Sequence, residues 1–75
     1  MALVTKLTKI ELEKNTPHSN VDCTYSLVVD DGGHRLLQID TYGSKRRKLK
    51  GKKSQSIRFS PEAIKQLKQI LDSKF

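Results

Sequence analysis

The chain reads as an α+β domain with the order β-β-β-β-α: one sheet, then one C-terminal helix that covers one sheet face and leaves the other available. Three observations predict this. Two runs, 21–29 and 34–42, alternate apolar and polar residues with the two-residue period of a strand. The "DDGG" between them (30–33) supplies residues that tolerate positive φ, which makes the pair a hairpin. Finally, Ser60, Pro61 and Glu62 form a helix start, placing an N-cap, a first-position proline and an acid in the first turn.

Taken in order, residues 3–14, "LVTKLTKIELEK", fit two patterns. Leu3, Leu7 and Ile10 have helical spacing, whereas Val4, Thr5, Thr8, Ile10 and Leu12 favour a strand, and the strand is the reading adopted. "NTPHSN" (15–20) is a turn by composition. In "VDCTYSLVV" (21–29), Val21, Cys23, Tyr25, Leu27 and Val29 make an apolar face that predicts core positions, Cys23 among them as an inert core residue. In "HRLLQIDTY" (34–42), Leu37 and Ile39 mark one face, and Leu36, Gln38, Asp40 and Tyr42 the other. The basic segment 43–53 follows as a loop, and "SQSIRF" (54–59) is a short fourth strand with Phe59 towards the core. The helix is expected over 61–73, with Ala63, Ile64, Leu67, Ile70 and Leu71 on its apolar face.

The charge is local. Fifteen Lys or Arg against eight Asp or Glu give a formal charge of +7, and Lys45, Arg46, Arg47, Lys48, Lys50, Lys52 and Lys53 account for all seven. Such a cluster projects a field felt by a polyanion over about 10 Å at moderate salt. Nucleic acid is the first partner it suggests, ahead of an anionic membrane surface. Three other readings of the run stand beside that one: a solvated loop that aids solubility, an import address, and a docking surface for an acidic protein. At 75 residues the chain has room for one domain and a marginal core. Cys23 is the single cysteine, so no disulfide assists, and oligomerisation is the natural way to bury more apolar surface.

Catalysis is not expected: no paired carboxylates in an obvious pocket, no Ser/His or Cys/His constellation and no phosphate-cradling glycine motif are recognisable. His18, His34 and Cys23 lack metal-ligand spacing, and no cofactor motif is present. No apolar run of membrane-spanning length and no signal-peptide core occurs, and the free cysteine fits an intracellular protein of the cytoplasm, nucleoid or nucleus.

From about residue 35 to 72 the chain resembles a known family. The run "LLQIDTYGS", a basic stretch containing "KGKK", and "SIRFSPEAIKQLKQIL" are together similar to the C-terminal domain of positive cofactor four, a transcriptional coactivator family that binds single-stranded DNA. The resemblance implies a curved, four-stranded antiparallel sheet plus one helix, a homodimer formed through helices and strands, and single-stranded nucleic acid laid across the open sheet face and basic loops. It implies contacts at Tyr42, Lys50, Lys52, Lys53 and Arg58, extended by Lys45, Arg46, Arg47 and Lys48. Two positions depart from the family pattern: Gly43 stands where an aromatic follows the tyrosine, and Asp40 where an arginine is expected on the third strand, a change expected to weaken or reshape the strand path.

The sequence therefore predicts a homodimeric single-stranded nucleic-acid binder, DNA ahead of RNA, acting in transcription or DNA maintenance, with a transcription or DNA-processing protein as a further partner. Its cations would capture phosphates, and Tyr42 is the one aromatic placed either to stack on a base or to pack on a neighbour. The alternative is a small adaptor or inhibitor module that binds an acidic protein. An exposed apolar patch separate from the cations would favour that alternative.

Overall fold

The computed structural model describes residues 2–18, 20–42 and 53–75, with Lys53 and Ser54 described in the backbone alone. The expected loop 43–53 lies outside the described residues except for Lys53. The elements are β1 (Ala2–Val4), β2 (Cys23–Val29), β3 (Arg35–Tyr42), β4 (Lys53–Phe59) and α1 (Pro61–Lys74). They form one four-stranded sheet of order β1-β4-β3-β2 and one helix, the α+β arrangement the sequence predicts.

The hairpin forms for the local reasons expected. Asp30 Oδ1 accepts from the backbone N–H of Gly32 and of His34, each at 2.9 Å. Gly33 N donates to Asp30 O at 3.0 Å, and Gly33 takes φ +82°, where a side chain would be strained. This turn sets the antiparallel β2–β3 register, from Val29 opposite Arg35 to Cys23 opposite Thr41. β4 pairs antiparallel with β3, placing Ile57 opposite Ile39 and Arg58 opposite Gln38, with one irregularity between Thr41 and Tyr42.

The first strand differs from expectation in two ways. It pairs parallel to β4, so the sheet is mixed, and it spans three residues where 3–14 was expected. The reason lies at the end of β4. Ser60 N donates to Val4 O at 2.9 Å as the last rung, and from there Ser60 turns the chain into α1. Past Val4 no neighbouring strand remains to pair with, and the described residues between Thr5 and Asp22 lie outside helix and strand. Leu7 is still held: its N–H donates to Gln66 Oε1 at 2.9 Å, and Gln66 Nε2 donates back to Leu7 O at 3.2 Å.

The helix starts as predicted. Ser60 Oγ accepts from Ala63 N at 3.1 Å, Pro61 occupies the first position, and Glu62 lies in the first turn. α1 contacts β3 and β4. Ala63 is buried and Ile64 and Leu67 are half-buried, while Ile70 and Leu71 are exposed, so only the first half of the apolar stripe is covered.

Direct pairing puts Cys23, Tyr25 and Leu27 on one sheet face with Leu37, Ile39, Ile57 and Phe59. On β3 and β4 these side chains are half-buried; on β2 Tyr25, Leu27 and Val29 are 77%, 72% and 64% exposed, and Cys23 is exposed. The core positions expected on β2, Tyr25 and Cys23 included, are therefore surface positions in the single chain. β2 is an edge strand, and the helix packs on its neighbours.

Candidate nucleic-acid interface

The opposite face is polar and better ordered than its composition suggests. Because directly paired residues share a face, Thr24 and Ser26 of β2, Gln38 and Asp40 of β3, and Ser56 and Arg58 of β4 stand together. Leu3 joins them through its pairing with Arg58.

At the centre lies Asp40, 3% exposed. Gln38 Nε2 donates to both of its carboxylate oxygens, each at 3.1 Å, and Ser56 Oγ donates to Oδ1. The Gln38 amide, 7% exposed, turns its oxygen the other way and accepts from Arg58 Nε at 2.7 Å. The chain Ser56–Asp40–Gln38–Arg58 has one consistent direction. A carboxylate only accepts, so it fixes the NH2 end of Gln38, which leaves the amide oxygen for the guanidinium. Arg58 is held through Nε, and its two terminal nitrogens have no protein partner among the described residues. A guanidinium anchored in this way keeps its fork for an anion or a base edge and loses little entropy on binding.

Towards the other end of the face Tyr42 is half-buried, and its hydroxyl lies 3.1 Å from Thr24 Oγ1. The four residues from Gln38 to Tyr42 separate Arg58 from Tyr42 by roughly 13 Å along the strand. Tyr42 pairs with Lys53, so the basic segment leaves the sheet beside one and returns at the other.

Of the site residues expected from sequence, the fold brings Tyr42 and Arg58 onto one face and starts β4 at Lys53 beside Tyr42. Lys45, Arg46, Arg47, Lys48, Lys50 and Lys52 lie outside the described residues. Asp40, expected to weaken or reshape the strand path, is held on this face in a buried, bonded position. Gln38, Asp40, Ser56 and Thr24 were absent from the expected site; alternation on β3 placed Gln38 and Asp40 on the right face, but their partners come from other strands. Leu36 is buried, so it is not an exposed apolar patch of the kind an adaptor would present. The exposed apolar strip is the Tyr25–Leu27–Val29 row on the other face.

Among the described residues, no group of three or more His, Cys, Asp or Glu is placed to hold a metal ion. Among the same residues, no helix is long and apolar enough to cross a membrane. His34 is exposed with its ring on Asp30, and Ser60 serves as the helix cap. No family model matches the chain, and no curated protein or solved structure is similar to it at a meaningful level.

Proposed function

We propose that this chain binds single-stranded nucleic acid, DNA ahead of RNA, as a homodimer acting inside the cell in transcription or DNA maintenance. The observation that carries the reading is Arg58, anchored at Nε by Gln38 with its fork unengaged among the described residues, on the same face as Tyr42, where the basic segment begins. One fixed cation on the sheet and seven more in 45–53 make a path for phosphates. Tyr42 offers a ring beside it, either for a base or as the wall of the path. In this role the chain is a binding protein and not an enzyme.

The dimer reading draws its support from an uncovered apolar strip. Tyr25, Leu27 and Val29 on the sheet, with Ile70 and Leu71 on the helix, are the apolar surface a second copy would cover. That same strip is what an adaptor would use for a different protein, so the two readings diverge on solution mass: a dimer of about twice 8.5 kDa by light scattering against a monomer.

Fluorescence anisotropy with labelled single-stranded and duplex oligonucleotides tests the binding. Tighter binding to the single strand is expected. Its log K should fall with log salt at a slope as steep as about −5 if all seven loop cations meet phosphates. Equal weak binding to both forms would reduce the segment to a non-specific charge, and no binding at low salt would leave the adaptor reading.

A further inference from the structure

A cavity of about 320 Å³ lies at the β1 end of the polar face, lined by Ala2, Leu3, Asp30, Leu36 and Arg58. Its size is at the lower end of the range for small-ligand sites. Its chemistry is mixed in a particular way. Leu3 and Leu36 supply apolar wall. Arg58, whose fork has no protein partner among the described residues, and Asp30, whose Oδ1 is occupied by the turn, complete the lining. Asp30 Oδ2 has no protein partner among the described residues, and Asp30 and Arg58 form no ion pair with each other. Opposite charges that share a cavity without closing on one another suit a guest that carries acceptors for one and donors for the other. A phosphate on the path answers the fork alone, so it meets half of this test. A nucleobase passes it.

Building on the single-stranded nucleic-acid reading, the geometry points to a guanine-reading subsite in this cavity. Guanine presents the acceptor pair O6 and N7 that matches a guanidinium fork, the commonest specific arginine contact with a base. It also carries N1–H and N2–H2 donors on the adjoining edge, which is open in a single strand, and one of these donates to Asp30 Oδ2. Adenine sets its amino group beside N7 and offers the fork no acceptor pair, thymine has no amino group and its one ring donor lies between two carbonyls, and cytosine, which offers O2 and N3, has a single ring. Guanine also has the larger two-ring surface to lie between Leu3 and Leu36. Phosphate contacts along the basic segment would set affinity, and this cavity would set preference.

The test compares a labelled oligo-dT with the same oligomer carrying one central dG, dA or dC, for wild type, Asp30→Asn and Arg58→Lys. Asp30→Asn keeps the Oδ1 acceptor that builds the turn and replaces Oδ2 with a donor. Arg58→Lys keeps the charge and removes the fork. Wild type should bind the dG oligomer about tenfold tighter than oligo-dT. Both variants should lose that preference; Asp30→Asn should hold oligo-dT within about twofold, and Arg58→Lys should weaken all four oligomers alike. Equal affinities for the four oligomers, a preference for dC or dA, or a dG preference that survives in both variants would overturn the subsite and leave the single-strand reading standing. A second titration separates the two claims: guanosine monophosphate against ¹³C-methyl-labelled protein. Shifts at Leu3 and Leu36 with guanosine but not cytidine or thymidine monophosphate uphold the cavity even if oligo-dT does not bind. Absence of shifts at both leucines, together with equal oligomer affinities, overturns it.

Discussion

Replacing Asp40 with asparagine tests whether a buried carboxylate sets the aim of Arg58. Among the described residues, Gln38 Nε2, 3.1 Å from both oxygens, and Ser56 Oγ donate to that carboxylate. Asparagine keeps the shape, offers one acceptor in place of two, and turns an NH2 group towards a donor. Hydrogen bonds to a charged group contribute about 1.5–3 kcal/mol each and neutral ones about 0.5–1.5. Weakening two of them and leaving one donor unmatched costs about 2–4 kcal/mol. Removing a buried charge returns part of its desolvation penalty. The net expectation is a loss of about 2 kcal/mol, a large share of the roughly 4–11 kcal/mol typical of this chain length. Urea denaturation followed by circular dichroism should show the midpoint falling by about 1–2 M. The second readout is binding. Once the Gln38 amide is free to turn end for end, Arg58 Nε loses its acceptor, and affinity for a single strand should drop about fivefold. Arg58→Ala should then do little further damage in the Asp40→Asn background, a coupling on the order of 1 kcal/mol. A midpoint unchanged within error, with Arg58→Ala equally harmful in both backgrounds, would refute the relay.

Other outcomes follow from local geometry. Ser60→Ala removes the acceptor for Ala63 N and should destabilise the chain by about 1 kcal/mol in the same denaturation assay. Gly33→Ala forces a side chain into φ +82° and should also lose about 1 kcal/mol, although the space there is open. Hydrogen bonding, first from the His34 backbone N–H, holds the Asp30 carboxyl below its ordinary value of 3.8. A lowered folded-state value means stability that is present above 3.8 and is lost as pH falls through the lower folded value. Thermal midpoints should therefore decline in that acid range, and Asp30→Asn should flatten that part of the decline.

The hairpin and the helix start were legible because their causes are local. Asp30 to Gly33 close their turn with their own atoms, and Ser60 caps with its own hydroxyl. What escaped the sequence depends on residues far along the chain. The alternation of Val4, Thr8, Ile10 and Leu12 is compatible with a long first strand, yet the partner strand ends at Phe59, and nothing within 3–14 records that. Tyr25 and Leu27 alternate as core residues do, but whether such a face is covered is decided by what packs on it, here a helix whose main contacts are with β3 and β4. Asp40 read only as a departure from a family pattern, and its bonding was hidden because its partner Ser56 is sixteen residues away. The polarity of the face was visible, and its wiring was not.

The most direct test of the central claim uses side-chain nuclear magnetic resonance, because arginine Nε–H and glutamine NH2 signals report one sheet face where backbone amides report both. Titrating ¹⁵N-labelled protein with oligo-dT should move the Arg58 Nε–H and Gln38 side-chain signals together with the backbone amides of 43–52. The methyl signals of Leu27 and Val29 should stay in place. Movement confined to those methyls, with Arg58 and Gln38 unchanged at saturation, would contradict the account and assign binding to the opposite face.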